Sequence, residues 1–264
     1  MSTDREWERW GQLDPYFGVI THERFRRSNL DDEARRAFFD SGRVQVDYVL
    51  AMCRTFIDST FQPVDVMDFG CGVGRVTIPF AAHCTTAVGI DVSVSMLEEA
   101  RRNVLDQGAQ NVAFHACNDD LTPWHGAFDL VHSCIVLQHI EPERVRSLFG
   151  ELVRCVRPGG ICALQLTYAK AWLVKSYGQP PRVETADPAP RLGIKSLLGL
   201  RNSSAQTMKP AEAEGDPGMQ MFSHELNPLL FMMQQAGVGR FHADFTDHGG
   251  ELGVSLFFRV PGSG

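Results

Sequence analysis

No C-x-x-C pair occurs in this chain of 264 residues, and its seven cysteines, Cys53, Cys71, Cys84, Cys117, Cys134, Cys155 and Cys162, stand singly. Their spacing excludes a zinc-ligand set and a three-cysteine iron–sulfur cluster, and an odd number scattered through core-like segments predicts reduced thiols. No apolar run is long enough to cross a bilayer, and Met1 to Glu6 lacks the apolar core of a secretion signal, so a cytoplasmic protein without a membrane partner is expected. Basic excess is missing too. With 25 Lys and Arg against 32 Asp and Glu, the formal net charge of -7 argues against an extended nucleic-acid groove and hence against a nucleic-acid partner. There is no internal repeat.

What is present is an ordinary globular composition, 44% hydrophobic, long enough for one elaborated domain over residues 1–264. Residues 1–62 read as a polar, aromatic-marked lead followed by a helix whose apolar residues, Phe38-Phe39, Val44, Val46, Val49-Leu50, Cys53 and Phe56-Ile57, recur at spacings compatible with one buried face. Together they predict a helical cap over the sheet edge. Residues 63–167 alternate: strands near 64–69, 86–91, 112–116, 128–133 and 160–167, helices near 75–83, 94–106 and 143–156. This rhythm predicts an α/β fold with a parallel sheet. Residues 168–221 break it with Pro180-Pro181, Pro188, Pro190, Pro210 and Pro217, and a loop of this length inside a compact domain reads as a lid over the active site. Residues 222–264 give a helix from Ser223 to Ala236, closed by Gly237, and two last strands.

The chemistry is concentrated at Val66-Met67-Asp68-Phe69-Gly70-Cys71-Gly72-Val73-Gly74-Arg75. An apolar strand ending in three alternate glycines suits a tight strand-to-helix turn, because glycine accepts positive φ and lets backbone N–H groups approach a ligand. The spacing is G-x-G-x-G, one residue short of the dinucleotide fingerprint, which disfavours a nicotinamide cofactor. Asp91 ends the next apolar run, Thr86 to Ile90, where an acidic residue can take both hydroxyls of a ribose.

These segments, with Gly89-Ile90-Asp91-Val92-Ser93-Val94-Ser95-Met96-Leu97, closely resemble motif I and the following acidic motif of the class I S-adenosylmethionine-dependent methyltransferases. Phe128-Asp129-Leu130-Val131-His132-Ser133 resembles that family's fourth strand, and Arg157-Pro158-Gly159-Gly160 the turn into its fifth. The resemblance implies a Rossmann-like α/β fold, with a seven-stranded, mostly parallel sheet between flanking helices, an N-terminal helical cap and an insertion after the fifth strand. It also implies S-adenosyl-L-methionine as cofactor. Gly70, Cys71, Gly72 and Gly74 would then wrap the methionine and ribose by backbone contact, and Asp68 would orient the loop or meet the amino group. Asp91 would take the ribose hydroxyls, Val92 and Met96 would pack near the adenine, and Asn118 or Asp119 would accept from the adenine amino group. Ser133 and Cys134 would lie beside the reactive methyl, through side chain or backbone contact alone.

For the acceptor side, Ile135-Val136-Leu137-Gln138-His139-Ile140 resembles the family segment in which a histidine often faces the acceptor. His139 is the candidate general base, with packing or capping as its alternative, and Gln138 would position substrate. Tyr16 is a candidate pocket wall or half of an aromatic pair fixing the cap. Tyr168 and Trp172, with Lys175 and Tyr177, are further candidates for meeting a sugar ring or an anionic group. His242, Asp244, Asp247 and His248 read as solvated charge pairing, and no metal is expected. The expected reaction is methyl transfer to a small molecule, at oxygen of a sugar or secondary metabolite. The alternatives are N- or C-methylation of a metabolite or peptide, and a non-catalytic cofactor-binding scaffold.

Overall fold

The structure is a computed structural model that describes residues 3–176 and 215–262. Its centre is a seven-stranded sheet in the order β3-β2-β1-β4-β5-β7-β6. The strands are β1 (Asp65–Phe69), β2 (Thr86–Asp91), β3 (Val112–Ala116), β4 (Phe128–Ser133), β5 (Val156–Lys170), β6 (Phe241–His248) and β7 (Glu251–Arg259). β1 to β5 pair in parallel, whereas β7 runs antiparallel to both β5 and β6. The two last strands pair with each other as an antiparallel hairpin.

Alternation along each strand sends side chains to two separate cores. Met67, Val131, Cys162, Leu164, Leu256 and Phe258 pack with helices α6 (Pro142–Cys155) and α7 (Leu226–Gln235) on one face. Val66, Ala87, Leu130, Ile161, Ala163 and Phe257 pack on the other with helices α3 (Asp32–Met52) and α4 (Thr77–Phe80). The cap helix α3 therefore covers a sheet face rather than the sheet edge. A third cluster joins helices α1 (Thr3–Leu13) and α2 (Pro15–Val19) to α5 (Val94–Gln107) through Trp10, Phe17, Phe38, Met96 and Leu97. Asp31 caps α3 by accepting from the Ala34 N–H at 2.7 Å, and Ser93 caps α5 from the Met96 N–H at 3.1 Å. Glu8 of α1 binds the same α5 terminus, accepting from the Ser93 hydroxyl at 2.8 Å and the Ser95 hydroxyl at 2.6 Å.

Three boundaries differ from expectation. The helix sought at 75–83 shrinks to α4, because Gly74 to Val76 belong to the turn and i→i−3 bonds such as Ala81 N–H to Ile78 O close it early. The late helix begins at Leu226 and not Ser223, since the chain before it is tied to its neighbours: the Phe222 N–H donates to Gln138 O and the His224 N–H to Thr167 O. β5 runs on to Lys170, held by pairing of Ala169 with Leu252 and Lys170 with Glu251, so the 167/168 border falls inside a strand. Most of the expected lid, residues 177–214 with Tyr177 among them, lies outside the described residues.

Gly42 shows how tightly α3 seats. A β-carbon there would lie 1.9 Å from the Arg75 carbonyl oxygen. Alanine normally stabilises a helix interior over glycine by about 1 kcal/mol, but here overpacking reverses the sign. Gly42→Ala is expected to lower stability by about 1–3 kcal/mol, read as a lower urea midpoint; an unchanged or higher midpoint would show that α3 can lift without cost.

Candidate active site

The carboxyl ends of β1, β2 and β4 open into a cavity of about 790 Å³, within the range of small-molecule sites. Its floor is the turn after β1. Gly70, Gly72 and Gly74 all have positive φ, at 73°, 51° and 83°. The amides of this turn are spent internally: the Gly70 and Cys71 N–H groups donate to Ile90 O, the Gly72 N–H to Asp91 Oδ2 at 2.8 Å, and the Gly74 N–H to Cys71 O. The glycines thus provide close approach and not the free N–H donors that their sequence suggested. Gly70, Cys71 and Gly72 line the cavity; Gly74 sits behind it, where its missing side chain makes room for Ile78 and Phe114.

Asp91 lines the cavity and is fixed from both sides, Oδ1 accepting from the Ser93 N–H at 2.9 Å and Oδ2 from Gly72. Burial pushes its carboxyl up to about 6, so this desolvated carboxylate gains from further donors such as a pair of ribose hydroxyls. Val92 and Met96 line the same end. Of the two residues proposed for the adenine, Asp119 lines the cavity and grips Arg144, which also reaches Asp4 at 2.6 Å, whereas Asn118 is exposed and does not line it.

Asp68 lines the cavity between two partners. Oδ2 accepts from the Thr77 hydroxyl at 2.6 Å, and Oδ1 lies 2.8 Å from Nδ1 of His132. Sequence reading missed His132, although a histidine in an apolar strand that pairs in register with Asp68 was a usable signal. Its ring is buried and its Nε2 has no partner among the described residues. Of the two residues expected beside the methyl, Cys134 lines the cavity together with His132, whereas the Ser133 side chain turns inward and donates to Phe69 O at 3.0 Å.

The lead forms the opposite wall through Trp7, Trp10, Phe17, Gly18 and Val19. Tyr16 does not belong to it. Its hydroxyl is buried with Asn103 at 2.6 Å and Glu99 at 2.9 Å, so it is a bolt between α2 and α5. Tyr168 likewise turns from the cavity to pack against Phe245, with ring centroids 6.1 Å apart, whereas Trp172 lines it. Met219 and Met221, from the chain returning to α7, complete the wall and carried no sequence signal. His242 stacks on Phe56 and Asp244 accepts from the Tyr48 hydroxyl at 2.8 Å; among the described residues no group of three or more His, Cys, Asp or Glu is placed to hold a metal.

Residues 66–160 match the family model described as a methyltransferase domain. Residues 66–160 thus resemble a methyltransferase domain, set in a sheet of the class I methyltransferase fold. An uncharacterized methyltransferase of Synechocystis is 35% identical over 99 residues, which are 38% of this chain and 45% of that protein. A 23S rRNA uracil-C5-methyltransferase of Legionella pneumophila is 30% identical over 98 residues, 30% of this chain and 21% of its own length. The chain thus spans less than half the length of these curated relatives. In fold it resembles the magnesium protoporphyrin IX methyltransferase of Synechocystis crystallised with S-adenosylhomocysteine, at a TM-score of 0.57 and 20% identity over 94% of this chain and 98% of that one.

In this methyltransferase-like domain His139 reaches the cavity but is not free. Its Nδ1 donates to Gln220 O at 2.8 Å, and Gln138 Nε2 lies 3.3 Å from its Nε2. Trp7 packs edge-on at 4.8 Å. Gln138 is also held, its Oε1 accepting from the Thr167 hydroxyl at 2.7 Å. Burial lowers the His139 pKa to about 4, which makes the ring a weak proton acceptor. In this arrangement the ring joins the β4 loop to the returning chain, which supports the packing role named as the alternative to general base. Between about 6.5 and about 4 the unfolded imidazole takes up a proton that the folded one refuses, so stability falls as pH drops through that window. His139→Gln is expected to flatten the acid limb of a stability–pH curve by about one proton; an unchanged limb would mean that the ring titrates normally in the fold.

Proposed function

We propose that the protein transfers the methyl group of S-adenosylmethionine to a small-molecule acceptor, at oxygen of a sugar or secondary metabolite. The observation that carries this reading is one cavity holding the glycine turn, the doubly fixed Asp91 and the Asp68–His132 pair under a wall of aromatic side chains. Bound there, the cofactor supplies an activated methyl on a sulfonium leaving group. The chain's own task is alignment and exclusion of water. Asp91 would orient the ribose, and Trp7, Trp10 and Phe17 would shield the reacting end. Carboxylates of Asp4, Asp68, Asp91, Asp119, Asp216 and Glu251 outnumber Arg75 and Arg144 around the cavity, a balance suited to a cationic sulfonium.

Removing a hydroxyl proton needs a free lone pair. His132 Nε2 has one, with its Nδ1 proton directed at Asp68. Trp172 and Gln138, which line the cavity, would meet the acceptor. The seven free thiols agree with a cytoplasmic setting. The acidic net charge favours a small acceptor over a nucleic acid. Release of S-adenosylhomocysteine should be followed with panels of sugars, phenols and amines and with a ribosomal RNA fragment. Turnover with a hydroxylated small molecule is expected; turnover with RNA alone would overturn the reading.

A further inference from the structure

Glu251 opens β7 directly after the turn His248-Gly249-Gly250 and lines the cavity. The residue is only 5% exposed, and its two carboxylate oxygens are unlike. Oε1 lies 3.3 Å from Nζ of Lys170, the register partner on β5, whereas Oε2 is fully buried with no hydrogen-bond partner among the described residues. β5 and β7 carry Glu251 past the end of β4: Ser133 pairs with Leu164, and Glu251 with Lys170, six residues farther along β5. His132 and Cys134 therefore line one part of the cavity and Glu251 another. Trp172 lines it too, half exposed, with its ring packed on the turn where a β-carbon at Gly250 would lie 3.0 Å from it.

A buried carboxylate oxygen without a donor is destabilising, so a donor brought by a ligand gains more here than at a solvated carboxylate. Lys170 already balances the charge of Glu251. A cation would be repelled by that ammonium and an anion by the carboxylate, whereas a neutral O–H satisfies Oε2 without adding charge. The indole alongside offers an apolar face to the carbon skeleton that carries the hydroxyl. We propose that Glu251, with Trp172 beside it, is an acceptor-recognition site for a neutral hydroxyl remote from the atom that is methylated. The proposal rests on the methyltransferase reading of the cavity and deepens it: the acceptor carries two polar groups, one reacting near the end of β4 and one donating to Glu251 Oε2. Glu251 sets specificity and takes no part in the transfer.

The test is calorimetry on wild type and Glu251→Gln, each saturated with S-adenosylhomocysteine. The probes are hydroquinone β-glucoside, with hydroxyls at both ends, and its fully O-methylated derivative, which keeps the skeleton without a donor. The variant is expected to bind the glucoside about 10- to 100-fold more weakly and the methylated derivative as wild type does. Its S-adenosylhomocysteine affinity should be unchanged, which also certifies the fold. Should Glu251→Gln not fold, Glu251→Asp keeps the charge, withdraws the oxygen by one methylene and should weaken the glucoside in the same selective way. The proposal is overturned if the folded variant binds the glucoside as wild type does, or if it weakens both probes equally. It is also overturned if wild type binds S-adenosylhomocysteine but not the glucoside at millimolar concentration. Tyramine binding to wild type more tightly than the glucoside, and losing that affinity in the variant, would overturn the neutral class of ligand. Failure of wild type to bind S-adenosylhomocysteine instead overturns the methyltransferase reading, and the proposal with it.

Discussion

Asp91→Asn is expected to weaken S-adenosylmethionine binding about 100-fold at pH 8, the scale of charge-assisted hydrogen bonds to two ribose hydroxyls. The amide also faces two N–H donors, from Gly72 and Ser93, and its own NH2 must oppose one of them, which loosens the turn. Wild-type affinity should itself depend on pH. The carboxyl titrates near 6 in the free protein because burial disfavours its charge, and the hydroxyls bind the charged form. Affinity is therefore expected to be flat above about pH 7 and to fall up to about tenfold per unit below 6, with no such fall in the asparagine variant. Equal affinities for the two proteins at pH 8 would remove Asp91 from the ribose site.

Gly70→Ala carries the second large effect. A β-carbon there would lie 2.3 Å from one methyl of Val136 and 2.4 Å from the other, on a backbone at φ +73°. Left-handed backbone costs a non-glycine residue about 1–2 kcal/mol, and forced overlap costs about 1–3 more. The variant should lose up to about 5 kcal/mol of stability and, where still folded, most cofactor affinity. Adding Val136→Ala removes the overlap but leaves the backbone term, so the double variant should regain roughly half the loss. Urea melts of the four proteins of the cycle read this directly, and strict additivity would show that Val136 is not the obstacle.

Much of the fold was legible because it rests on local pattern. β-branched runs, glycine at forced positive φ and alternating helices act within a few residues, and they gave the strand order's raw material and the turn under the cofactor site. Asp91 was legible for the same reason, being the acid at the end of its own strand. The misplacements share a different cause. Tyr16, Ser133 and Tyr168 sit next to cavity residues, and which of two neighbours faces inward depends on partners far away in sequence, Asn103, Phe69 and Phe245 respectively. His139 lost its free lone pair to Gln138 beside it and its donor to Gln220, some eighty residues on. His132 escaped notice because its meaning lies in a hydrogen bond that is not made.

The central claim is that the cavity above β1, β2 and β4 is an S-adenosylmethionine site. Calorimetric titration of the purified protein with S-adenosylhomocysteine tests it most directly, after mass spectrometry for ligand carried through purification. The account predicts one site with micromolar affinity, weakened in Asp91→Asn, and no comparable heat from a nicotinamide dinucleotide. A folded, ligand-free protein that gives no heat with S-adenosylhomocysteine, or binds both compounds alike, would contradict it.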